Sequence, residues 1–190
     1  MKVRLVLVLI LFFSTLSNAQ VKDRYWVFGD SAAIDFTNLQ NPVPAMSVLR
    51  TRGSCASICD SSGQLLFYCG APQIPPFPSG SGGLKFGYVV NKLHQLMDNG
   101  DKLYGESWYQ EMTIIPDPGD SMKYYVFCAG ELPPVNGLHY SIVDLSFNGG
   151  LGKIVQKNVL VNSDTLCDGM AAVRHGNGRD WWVIFRKSVI

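Results

Sequence analysis

Three segments of this chain are versions of one another and follow at an almost constant step. The first runs Ala56-Ser57-Ile58-Cys59-Asp60 and returns through Leu66-Phe67-Tyr68. The second runs Thr113-Ile114-Ile115-Pro116-Asp117 and returns through Tyr124-Tyr125-Val126-Phe127. The third runs Ala171-Ala172-Val173-Arg174-His175 and returns through Trp181-Trp182-Val183-Ile184-Phe185. A regular period marks a repeat architecture, in which one unit does not bury its apolar face alone and stacks on its neighbours.

Each unit reads as a hairpin with a turn-rich tip. Asp60-Ser61-Ser62-Gly63, Pro116-Asp117-Pro118-Gly119-Asp120 and His175-Gly176-Asn177-Gly178 separate β-branched or aromatic runs, and their Gly, Pro, Asp and Asn residues suit tight reversals. The repeat hairpins fall near 55–69, 112–129 and 170–186. A third strand follows the first two hairpins, Tyr88 to Asn91 and Tyr140 to Asp144, and Lys153 to Val161 reads as a fourth in the second unit. An isolated strand is expected at Tyr25 to Phe28, and helical periodicity is missing outside the amino terminus. The expected fold is all-β, a partial β-propeller of about two and a half four-stranded antiparallel blades. The Pro/Gly/Ser-rich stretch from Gly70 to Gly83 reads as a long loop from one blade, because the period carries across it.

Residues 1–19 read as a secretory leader. Lys2 and Arg4 precede the apolar run Leu5 to Phe13, and Ser17-Asn18-Ala19 offers a cleavage site before Gln20. The run is shorter than the roughly 20 residues a bilayer span needs. Residues 20–190 are then the incomplete propeller domain, with no membrane span after leader cleavage. The sequence stops after the second strand of the third unit, which sets the expectation of a front part of a longer protein. The alternative is a short chain that assembles with copies of itself.

With 16 Lys and Arg against 15 Asp and Glu, the chain is nearly neutral and no segment concentrates positive charge. A nucleic-acid footprint is therefore absent. A charged fraction of 16% with 12% aromatics fits a packed β protein rather than a disordered one. Five cysteines follow the leader: Cys55, Cys59, Cys69, Cys128 and Cys167. Export permits disulfides, but an odd count leaves at least one thiol unpaired within the chain. Cys55 and Cys69 flank the first hairpin in a way that suits a bridge. Cys69 and Cys128 hold matching positions that suit buried small side chains equally well.

Residues with chemical potential have structural explanations nearby. Asp60, Asp117 and His175 occupy matching tips, where turn formation accounts for them better than acid–base work. His94, His139 and His175 lack ligand spacing. Asp98-Asn99-Gly100-Asp101, and Asp164 with Asp168, are oxygen-rich without matching the twelve-residue calcium loop. Ser31 lacks a hydrolase elbow, and Gly149-Gly150-Leu151-Gly152 is no phosphate loop. Among the aromatics Trp26, Tyr68, Trp108, Tyr109, Tyr125, Trp181 and Trp182, core packing is the default, and Trp108 with Tyr109 are the best placed for exposure. The sequence nominates no catalytic, cofactor-binding or metal-ligating residue, and no cofactor is expected.

Tyr25-Trp26-Val27-Phe28-Gly29-Asp30, Ile34-Asp35-Phe36, Cys55 to Asp60 and Gly63 to Tyr68 together resemble a known family. So do Asn91 to Gly100, Asn148 to Gly152 and His175 to Trp182. The family is the amino-terminal β-propeller region of secreted Bacteroidetes proteins that carry a type IX secretion (Por) sorting domain or a gliding-motility-type carboxy-terminal domain. The resemblance implies export to the outer surface or the medium and a non-catalytic module that meets an unknown protein or glycan partner. No sorting domain lies within this sequence, so that last export step does not transfer with the resemblance. The rival expectation is part of an extracellular hydrolase or lyase whose catalytic residues lie in other blades or domains.

Overall fold

The computed structural model describes residues 21–188 apart from 52, 72–85, 107, 132 and 134. The expected leader and most of the expected 70–83 loop lie outside the described residues. Among the described residues, strands form four antiparallel sheets, none of them closed. The chain is all-β in this sense.

The first sheet holds β1 (Tyr25–Val27), β2 (Ala32–Asp35) and β3 (Val43–Met46), and the second β4 (Cys55–Cys59), β5 (Leu65–Gly70) and β6 (Tyr88–Asn91). The third holds β7 (Met112–Pro116), β8 (Lys123–Gly130), β9 (Gly137–Asp144) and β10 (Lys153–Asn162), and the fourth β11 (Leu166–Arg174) and β12 (Trp181–Lys187). The sheets therefore carry three, three, four and two strands, and the expected four-stranded unit exists once, over 112–162. Beside β6, the isolated antiparallel bridges Val90–Leu96 and Gly87–Leu103 form an irregular edge in place of a regular fourth strand.

The first sheet departs most from the sequence reading, which places a single strand there. Asp30 (φ 59°) and Ser31 (φ 64°) are both left-handed, the backbone that a two-residue hairpin requires. Asp-Ser is a weak signal for that turn. Pro44 then sits in β3 opposite Ile34, tolerated because β3 is an edge strand.

Alternation along the strands gives each sheet two faces, and successive sheets stack through them. Val27 and Ala33 of the first sheet meet Tyr68, Tyr88 and Val90 of the second. From the other side of the second sheet, Ile58, Phe67 and Cys69 meet Met112, Tyr124, Val126 and Cys128 of the third. Phe67 packs edge-on against Tyr124 with centroids 5.3 Å apart. The far face of the third sheet gives Phe127, Ala129 and Leu138 to Leu166, Met170, Val183 and Phe185 of the fourth. Each fully buried large side chain contributes about 1.5–3 kcal/mol. The first strands are neighbours throughout, β1 against β4, β4 against β7, and β7 against β11.

All five cysteines are free thiols. In the β4–β5 register Ala56 lies opposite Cys69 and Cys55 opposite Gly70. That one-residue offset sends the Cys55 and Cys69 side chains to opposite faces, so the hairpin does not favour a bridge. Cys69 and Cys128 join the core between the second and third sheets, where burial pushes both thiols up.

Candidate functional site

Because the first strands run side by side, the side chains at their tip-facing ends converge. Trp26 of β1, Ser57 of β4, Asp117 and Asp120 beyond β7, Arg174 of β11 and Trp181 of β12 line a cleft of about 1040 Å³. Its wall is small or apolar, with Ala56, Ile58, Thr113 and Ile114, and its rim is charged. Trp26 is half exposed and donates its indole N–H to the Asp23 carbonyl at 2.7 Å. Burial raises the Asp23 carboxyl above its ordinary range. At the opposite rim Arg179 pairs with Asp180 at 2.8 Å; this contact and the Asn177 amide hold the Asp180 carboxyl down to about 2. Ser57 Oγ gives its proton to the Tyr25 carbonyl at 2.5 Å, and Asp117 accepts the Gly119 N–H at 2.8 Å, so these two lining groups are engaged in local bonds.

The three matching tip residues do not come together. Asp117 lines the cleft, whereas Asp60 and His175 are not among its lining residues. Each instead makes the same local bond. Asp60 Oδ1 accepts the Ser62 N–H at 2.8 Å, Asp117 Oδ1 accepts the Gly119 N–H at 2.8 Å, and His175 Nδ1 accepts the Asn177 N–H at 3.1 Å. The repeat thus conserves an acceptor for the N–H two residues on, with imidazole standing in for carboxylate in the third copy. Bonds from Ser62 and from the turn amides lower the Asp60 carboxyl.

The two oxygen-rich segments are held by lysines. Lys157 Nζ donates to Asn99 Oδ1 at 2.9 Å and to the Asp101 carbonyl at 2.7 Å, and lies 3.3 Å from Asp101 Oδ1. Lys153 approaches Asp98 at 3.4 Å, and Lys187 meets Asp164 at 2.8 Å. An ammonium therefore occupies the place a cation would take. Among the described residues no group of three or more His, Cys, Asp or Glu is placed to hold a metal ion.

A second cluster, at the opposite ends of the first strands, has no counterpart in the sequence reading. Glu111 is 1% exposed; its carboxylate accepts the Glu106 N–H at 3.0 Å and the Trp108 N–H at 3.2 Å. Glu106 Oε2 accepts the Glu131 N–H at 3.1 Å, and Glu131 Oε1 accepts the Asp168 N–H at 2.8 Å. The same segment's backbone ties to Gly53, Ala129, Gly169 and Met170. Glu111 and Glu106 thus hold amides beside the third sheet, and Glu131 carries the connection across to the fourth sheet at Asp168. The available sequence signal was an acidic residue directly before the apolar run Met112 to Ile115, a place where a strand start offers unpaired amides.

Exposure of the aromatics differs from expectation in two cases. Trp108 and Tyr109 are exposed as expected, but so are Trp26 and Trp182, and only Tyr68 of the set is fully buried. Comparisons with protein-family models, with curated proteins and with solved structures find no match.

Proposed function

We propose that this chain is a secreted or cell-surface, non-catalytic β-propeller module that binds a glycan or protein partner in the cleft at the hairpin tips. The observation that carries the reading is the side-by-side arrangement of β1, β4, β7 and β11, each opening a new antiparallel sheet, with the cleft along them. That is the arrangement in which propeller blades present their innermost strands. Two tryptophans in the lining, Trp26 of the first sheet and Trp181 of the fourth, offer apolar faces for sugar rings or peptide side chains, and the charged rim offers hydrogen bonds. Engagement of Ser57 and Asp117 in local bonds favours binding over turnover. Export would follow from the leader read in residues 1–19, and delivery to the surface from the family resemblance.

The test is binding of the full chain to an immobilised panel of surface oligosaccharides and peptides, with Trp26→Ala and Trp181→Ala as paired variants. The expected result is retention of one ligand class without product release, weakened about tenfold or more by either substitution. Hydrolysis or elimination products would overturn the non-catalytic reading. Binding indifferent to both tryptophans would remove the cleft from it.

A further inference from the structure

The cleft along the first strands leaves certain polar groups without partners, and their chemistry narrows what it takes. Its lining carries three cations and three carboxylates, so it has no net charge with which to select a charged ligand. Several of these are engaged nearby: Arg179 is held by Asp180, Asp120 by Lys123, and Asp117 accepts the Gly119 N–H. Three lining groups, associated with the first, third and fourth sheets, keep bonding capacity. The carboxylate of Asp23, just ahead of β1, has no hydrogen bond or ion pair among the described residues. The Thr113 hydroxyl, half-buried on β7, is unbonded in the same sense. Arg174 gives an N–H to the Gly178 carbonyl and has no carboxylate partner among the described residues, which leaves most of its donors open.

We infer that the cleft holds an uncharged saccharide chain, with ring faces on Trp26 and Trp181 and hydroxyls bonded by Asp23, Thr113 and Arg174. This rests on the cleft-binding reading above and narrows it to one ligand class. A carboxylate only accepts, a guanidinium only donates and a threonine hydroxyl does both; a sugar hydroxyl, itself donor and acceptor, satisfies all three. A charged chain would gain at one rim and lose at the other, against Asp23 and Asp117 or against Arg174. Trp26 is set for stacking, its indole N–H on the Asp23 carbonyl at 2.7 Å and its ring 4.9 Å from that of Phe36. A volume of about 1040 Å³ lies at the top of the roughly 300–1,000 Å³ that enclose a drug-sized molecule, which suits several rings rather than one. A peptide adding as a strand meets an obstacle at β1. Tyr25 and Val27 turn their carbonyls away from β2, and Ser57 and Cys55 of β4 already donate to them at 2.5 and 3.3 Å. Those acceptors are closed to a new ladder.

The experiment is calorimetric titration of the full chain with neutral hexose tetrasaccharides, with tetrasaccharides bearing uronic acid or free amino sugar, and with end-blocked peptides. A neutral saccharide is expected to bind, its affinity unchanged within about twofold between about 50 and about 500 mM salt. Thr113→Val keeps the shape and removes only the hydroxyl; it should weaken that binding about threefold to tenfold. Asp23→Ala, at an exposed position, should weaken it by a comparable factor, and melting curves check that both variants stay folded. Binding only of charged ligands, or binding that fades with salt, would overturn the inference. So would unchanged affinity in both variants, or no binding across the panel. A peptide bound in preference, and lost in Trp26→Ala, would overturn the saccharide class while leaving the cleft as the binding site. Saccharide binding indifferent to Trp26→Ala and Trp181→Ala would overturn this inference and the cleft reading together. Release of shorter saccharides would overturn the non-catalytic reading and uphold the ligand class.

Discussion

The Tyr68 hydroxyl lies 2.8 Å from His94 Nδ1 while accepting the Val48 N–H at 3.3 Å. Tyr68 is fully buried in the second sheet, Val48 leaves the first sheet, and His94 sits in a turn with a left-handed φ of 61°. The turn is a close copy of the Asp60 tip. Asn91 Oδ1 accepts the Leu93 and Gln95 amides, and His94 takes the left-handed place that Gly63 holds in the first. A non-glycine residue is tolerated there because its ring is anchored from within. Tyr68→Phe should lower stability by about 1 kcal/mol, since it removes a hydroxyl shared by two half-buried partners, as urea unfolding would register.

The same phenol sets an alkaline limit. Burial pushes Tyr68 up to about 12 from an ordinary 10.0. Its contribution is fully present below pH 10. As pH rises from 10 towards about 12, the unfolded chain releases a proton that the folded chain retains, and stability falls. Absorbance at 295 nm should show a late class of tyrosines that ionises together with unfolding; uniform ionisation near pH 10 would count against the buried hydroxyl.

On the acid side, His139 is the group to watch. It is buried, its ring stands edge-on to Tyr104 at 4.7 Å, and its Nδ1 has no hydrogen-bond partner. Burial lowers its affinity for a proton below the ordinary 6.5. Well above pH 6.5 its titration adds no cost; as pH falls from 6.5 through the lowered native value, the unfolded state takes up the proton first and stability drops. His139→Phe should flatten that part of a melting-temperature profile.

Much of this was legible in the residues, for identifiable reasons. The hairpins at β4–β5, β7–β8 and β11–β12 announce themselves because their strands are β-branched or aromatic and their tips carry Gly, Pro, Asp or Asn. β2 and β3 do not, because Asp30-Ser31 and Pro44 send the wrong local message and only the neighbouring sheet overrides it. The cleft was out of reach for another reason. Trp26 and Trp181 come from opposite ends of the stack, and their meeting depends on how far each sheet rotates against the last. Glu111 was missed because its partners are backbone amides, which no side-chain pattern reveals.

Lys157 tests whether the 98–101 segment is a closed structural feature. Lys157→Met removes the donor to Asn99 and Asp101 and should lower stability by about 1 kcal/mol, as measured by urea unfolding. An unchanged midpoint would mean that water serves those oxygens equally well.

Thiol chemistry offers a solution check of the sheet stack. Cys167 and Cys55 are partly accessible, whereas Cys59, Cys69 and Cys128 are buried, and burial pushes up the thiols of Cys55, Cys59, Cys69 and Cys128. A disulfide reagent at neutral pH should label Cys167 first in the folded protein and Cys55 more slowly, because Cys55 Sγ also donates to the Val27 carbonyl at 3.3 Å. The remaining three should react only as the chain unfolds.

The glutamate relay changes how a stack of this kind comes apart. Repeat arrays ordinarily fray from their last unit, because each unit answers only to its neighbour. Here detaching the terminal ribbon would strip the Asp168 amide from Glu131, and the strain would pass back through Glu106 to the carboxylate of Glu111. Melting of the third and fourth sheets is thereby coupled, with the β11–β12 hairpin coming apart alongside the sheet before it rather than ahead of it.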